Sequence, residues 1–82
     1  MSEQTVNELI TELQDRNYDS VKFRVFATEF GSVWVAIEFT DLQESNQADL
    51  YVDDWRVYQA RPVSHGKYIG LEVLFDYVGG AK

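Results

Sequence analysis

The sequence predicts an α+β domain: an N-terminal helix packed on one face of a four- to five-stranded antiparallel sheet. Three observations carry this. Near the N-terminus, apolar residues recur at helical spacing. From about position 20 onward they alternate instead, in runs rich in β-branched and aromatic residues. The connections between those runs are short, which suits antiparallel pairing and sets the helix apart from the strands.

The helix is expected at about 5–16. Thr5-Val6-Asn7-Glu8 has capping-box spacing, a hydroxyl followed three residues later by a carboxylate. Val6, Leu9, Ile10 and Leu13 then form one apolar stripe. Glu12 and Arg16 are placed to pair at i, i+4, and Asn17 is a plausible stop.

The first strand is expected at about 20–28, where Val21, Phe23 and Val25 alternate with Lys22, Arg24 and Phe26. Glu29-Phe30-Gly31-Ser32 supplies a tight turn, with Gly31 able to take positive φ. The second strand, at about 33–40, is the most apolar and belongs in the middle of the sheet. Val33, Val35, Ile37 and Phe39 share one face, and Trp34, Ala36 and Glu38 the other. Residues 41–49 read as a polar loop. A third strand is expected at about 50–60, interrupted by Asp53-Asp54 and ended by Pro62, which cannot donate to a ladder. The last strand is expected at about 67–77, and 79–82 as a loose tail. The inward residues of these strands would meet Leu9, Ile10 and Leu13. Phe26, Trp34 and Leu74 then fall on the face the helix leaves uncovered, with Trp55 or Tyr58 as candidates to join them. An uncovered apolar face needs a lid, a partner or a dimer mate.

A chain of 82 residues makes one domain. Aromatics at 15 % and hydrophobics at 45 % are the composition of a globular domain and argue against disorder. The absence of cysteine excludes disulfides and thiolate metal sites. The polar start Met1-Ser2-Glu3-Gln4 is unlike a signal peptide, and no apolar run is long enough to span a membrane, so a cytoplasmic location is expected. The net charge of −7 disfavours direct binding to nucleic acid or anionic lipid and favours a basic protein surface as partner.

No catalytic motif stands out. His65 is the single histidine and sits in a polar Ser64-His65-Gly66 turn. Asp49, Asp53 and Asp54 lack calcium-loop spacing and the distal glutamate. No enzyme activity, metal or cofactor is therefore expected. The most informative feature is a run of six acids between positions 38 and 54, uninterrupted by lysine or arginine. Spaced carboxylates can imitate phosphates and occupy a basic groove, and nearby aromatics can anchor the contact. Glu38, Asp41, Glu44, Asp49, Tyr51, Asp53, Asp54 and Trp55 are the expected partner-binding residues. Against this, Arg56, Arg61 and Lys67 form a basic segment able to fold back and neutralise the run. Aromatic platforms such as Trp34, Phe26, Tyr51, Trp55, Tyr58 and Tyr68 stack on single strands when Lys and Arg lie alongside, and here the overall charge is of the wrong sign.

The general make-up is short, acidic, cysteine-free and without catalytic motifs. In size and composition it resembles small phage-encoded inhibitors, the anti-CRISPR proteins and DNA-mimicking antirestriction proteins. The resemblance implies a non-enzymatic inhibitor that docks an acidic, nucleic-acid-mimicking surface onto a basic partner, such as a nucleic-acid-binding complex. The alternative is a structural or assembly subunit that forms a homodimer through an aromatic sheet face centred on Phe26 and Trp34.

Overall fold

A computed structural model describes residues 3–17, 21–40, 47–66 and 68–79, apart from the side chains of His65 and Tyr68. The helix α1 (Glu3–Arg16) buries Leu9 and Leu13 completely, and Val6 and Ile10 pack against the same core. It starts earlier than the capping-box spacing implied. Thr5 lies inside the helix and is not its N-cap, and Glu8 instead accepts a hydrogen bond from Gln4 at i, i+4. A glutamate in the first turn favours that extension through the helix dipole. Asn17 does end the helix. Its amide nitrogen donates to the carbonyl of Leu13 at 2.6 Å and to that of Asp49 at 2.9 Å, and its Oδ1 accepts from the Asp49 N–H at 2.8 Å. One side chain thus closes the helix and ties it to a segment 32 positions away.

Four strands follow: β1 (Lys22–Glu29), β2 (Ser32–Phe39), β3 (Trp55–His65) and β4 (Tyr68–Tyr77). They form one antiparallel sheet in the order β1-β2-β4-β3. The two inner strands hold Val33, Val35, Ile37, Val73 and Phe75, all fully buried in one core with Leu9 and Leu13 of α1. Burial is deepest there because inner strands are flanked on both edges and covered on one face. β2 and β3 both run antiparallel to β4, which lies between them, so they run parallel to each other. The connection between them must therefore travel the length of the sheet. Its described part, residues 47–54, does so on the helix side, where Val52 is buried and Ala48 and Leu50 pack on the core.

That crossover corrects the expected third strand. Residues 50–52 are loop, with Leu50 and Val52 on the core and Tyr51 exposed, and pairing begins at Trp55. Pro62 does not end the strand. It sits opposite Leu71 inside β3, which is possible because β3 is an edge strand and a proline whose missing donor faces outward costs no ladder bond.

Two backbone features fix the ends of the sheet. In the turn between β1 and β2, Phe30 (φ 34°) and Gly31 (φ 86°) both take positive φ, the signature of a type I′ hairpin. The Gly31 carbonyl accepts the Tyr77 N–H at 2.8 Å, which joins this turn to β4. At the start of β3, Asp54 (φ 72°) completes a turn in which Trp55 N–H donates to the Val52 carbonyl at 3.1 Å. The Asp54 carbonyl then accepts from the N–H groups of Val78 (2.7 Å) and Gly79 (3.1 Å). A Cβ on Gly79 would lie 2.6 Å from Cβ of Asp54. Gly79 is thus packed in place where a loose tail was expected; the rest of that stretch, 80–82, lies outside the described residues.

Both edge strands carry a bulge. The register shifts between Val25 and Ala27 in β1, and between Val57 and Gln59 in β3. The extra residues are Phe26 and Tyr58. Bulged edges resist pairing with a further strand.

Candidate functional site

Charge is divided between the two sides of the molecule. On the side of α1 and the crossover, the described residues include Glu3, Glu8, Glu12, Asp15, Asp49, Asp53 and Asp54, against a single base, Arg16. Arg16 is ion-paired with Glu12. That hydrogen bond, reinforced by the fields of Glu12, Asp49 and Asp53, raises its pKa. On the open sheet face, register places Lys22, Arg24, Arg56 and Arg61 beside Glu29, Glu38, Glu72 and Asp76. Four bases balance four acids there, so the net negative charge of the described residues lies on the helix side.

The acidic side contains a groove of about 190 Å³ between the first turns of α1 and the 52–55 turn. Glu8, Glu12, Asp53 and Asp54 contribute to its lining, together with Trp55 and Tyr77. The Trp55 and Tyr77 rings pack 5.1 Å apart at 59°. Carboxylates over an aromatic base suit a cationic side chain, since both the charges and the ring faces attract it. Among the described residues, no group of three His, Asp or Glu side chains is arranged to hold a metal ion.

The open face has a different character. A row of side chains crosses it at right angles to the strands, apolar up to its last member: Ala27 pairs with Trp34, Trp34 with Leu74, and Leu74 with the polar Gln59. The two bulges fall at opposite ends of this row. They add Phe26, whose ring lies 6.0 Å from that of Trp34, and Tyr58, whose ring lies 6.0 Å from the Arg56 guanidinium. The result is a stripe, Phe26–Trp34–Leu74–Tyr58, spanning the full width of the sheet. Arg61 lies over Trp34 at 4.9 Å. Ion pairs border the stripe, Arg61 with Glu72 at 2.7 Å and Arg56 with Asp76 at 3.0 Å. Asp76 also accepts a 2.6 Å hydrogen bond from the Ser32 hydroxyl. The hydroxyl first, then Arg56, holds the Asp76 carboxyl below the ordinary aspartate range.

The expected acidic surface is thereby split. Asp49, Asp53 and Asp54 lie together on the helix side, and Tyr51 is exposed beside them. Glu38 is on the open sheet face, opposite Lys22. Asp41 and Glu44 lie outside the described residues. Trp55 is largely buried in the core, so it forms the base of the groove rather than a protruding anchor or a part of the open face. Tyr58 does join the open face. Of the basic segment, Arg56 and Arg61 do not fold back on the acidic one, because they are engaged by Asp76 and Glu72; Lys67 lies outside the described residues. Sequence reasoning missed Glu8 and Glu12 as part of the acidic surface. Their i, i+4 spacing was the available signal, since it puts both on one helix face. No helix of the described residues is long and apolar enough to cross a membrane. Compared with protein-family models, with curated proteins and with solved structures, the chain matches none of them.

Proposed function

We propose that this is a non-enzymatic binding protein whose acidic helix side docks onto a basic protein surface, with the groove at Glu8, Glu12, Asp53 and Asp54 receiving a lysine or arginine side chain. The observation that supports this reading is the division of charge. Seven described acids against Arg16 alone give one side of the molecule a field that steers a basic partner. A nucleic-acid-binding protein is the favoured partner class, because its own groove is basic by necessity.

The test is capture of partners from the native host on immobilised protein, compared between wild type and the variant Glu8→Gln/Glu12→Gln/Asp53→Asn/Asp54→Asn. Asparagine is accepted at the positive φ of Asp54, so the fold should survive, which circular dichroism checks. The wild type should retain a basic, nucleic-acid-binding protein that elutes between about 50 and 500 mM salt as screening shortens. The variant should associate with that protein at least about tenfold more slowly. Displacement by the partner's nucleic acid would report mimicry. Equal binding by the neutralised variant would end this reading.

A further inference from the structure

We propose that the open sheet face is a homodimer interface, on which a second copy packs face to face about a two-fold axis that runs parallel to the strands between β2 and β4.

Three observations lead there. The first is the stripe. That axis exchanges β1 with β3 and β2 with β4, and so carries Phe26 onto the second copy's Tyr58, and Trp34, together with the Arg61 guanidinium that lies on its ring, onto the second copy's Leu74. The stripe is therefore complementary to itself under a single operation, as an isologous interface requires. The second is charge. The same axis sets Glu29 opposite the second copy's Arg56, twice over. Arg24 meets the second copy's Arg61; Arg56 and Arg61 each also keep an ion pair within their own chain, with Asp76 and with Glu72. Among the described residues, the open face is balanced in charge and the helix side is not, so it is the open face by which a chain of net charge −7 approaches its own copy at the least electrostatic cost. With layers spaced near 10 Å, the acidic helix sides end up about 30 Å apart, roughly three Debye lengths at 0.1 M salt. The third is the edges. Bulges in β1 and β3, and Pro62 in β3, disfavour association through the strand edges and leave the face.

Strand spacing and rise give the face about 500 Å² on each copy. The total of about 1,000 Å² is at the low end for a specific interface, so a dimer of micromolar strength is expected. The proposal does not depend on the reading of the acidic side, which stays outward in the dimer.

The experiment uses the full chain and the fact that it contains no cysteine. In sedimentation equilibrium from about 0.1 μM to 1 mM, a range that brackets micromolar affinity, the mass should climb from 9.5 kDa toward twice that value. Glu29→Arg, at an exposed position, should weaken the dimer at least about tenfold by placing like charges in contact. Facing sheets stand about 10 Å apart, beyond the reach of a disulfide, so register is read with a short bismaleimide. A mixture of the single variants Phe26→Cys and Tyr58→Cys should cross-link into a mixed dimer, and neither variant should cross-link to itself. Both positions are exposed, at 42 % and 64 %, so the substitutions leave the core intact. A mass fixed at the monomer value up to the highest concentration overturns the proposal. So does Phe26→Cys linking to itself as readily as to Tyr58→Cys. So would tight binding of oligo-uridylate by a chain that remains monomeric, which would assign the stripe to base stacking.

Discussion

The guanidinium of Arg61 lies 4.9 Å from the centre of the Trp34 ring while its Nε donates to Glu72 at 2.7 Å. Arg61 is on β3 and Trp34 on β2, so the side chain reaches across β4 to make both contacts. It covers an aromatic ring with its charge still partly solvated. Arg61→Ala should uncover the indole and cost about 0.5–1 kcal/mol, a cation–π contact plus a half-exposed ion pair. Arg61→Lys should recover little of this, because a point charge cannot stack and pair at once. Tryptophan emission should shift to the red in Arg61→Ala. Since Trp55 is in the core, the change reports on Trp34. Unchanged emission would show that Arg61 does not cover the ring in solution.

Leu13 is fully buried between α1 and the sheet. Leu13→Ala should cost about 2–4 kcal/mol in urea unfolding, from lost transfer energy and the cavity left behind. A loss below about 0.5 kcal/mol would mean that the helix is not docked.

Phe30 offers a change in the other direction. Its φ of 34° is disfavoured for a side chain of this size, and the ring is fully exposed, so no packing repays the strain. Phe30→Asn creates the Asn-Gly pair that type I′ hairpins prefer. It should stabilise the protein by about 1 kcal/mol, read as a higher urea midpoint at unchanged slope. A neutral or destabilising result would show that the Phe30 backbone is not strained enough to matter, or that the ring itself contributes to stability.

Asp76 makes stability depend on pH at the acid end. Its folded pKa lies below the ordinary 3.8, chiefly through the Ser32 hydroxyl and then Arg56. A carboxylate with a depressed folded pKa contributes stability fully above the unfolded value. That contribution is lost as pH falls through the folded value. Ser32→Ala should therefore be less stable than wild type at pH 7, and the gap should narrow below about pH 4 and close at lower pH. Carbon-detected NMR should show the Asp76 carboxyl titrating below ordinary aspartates and moving up in Ser32→Ala. A gap between the two proteins that persists unchanged into strong acid would rule out this coupling.

The sequence alone determined the class of fold. A helical stripe at Leu9, Ile10 and Leu13 followed by runs of alternating residues admits few arrangements other than a helix on an antiparallel sheet, because period 3.6 and period 2 each bury a different shape. It also placed Phe26 and Trp34 on the uncovered face, and Gly31 in a positive-φ turn. What it could not determine was which charges share a surface. Glu38 is near Asp49 in the chain, yet the two lie on opposite sides, because a strand points alternate residues to opposite faces and the crossover runs on only one of them. Strand order was equally hidden. Only the insertion of β4 between β2 and β3 brings Arg61 onto Trp34 and Arg56 onto Asp76, and so keeps these two arginines from neutralising the acidic segment. The two bulges complete the picture. Each shifts register by one residue, a change invisible to periodicity, and together they align Phe26 and Tyr58 with Trp34 and Leu74. Alternation is a local property of a strand, whereas a stripe across four strands exists only once pairing has set their register.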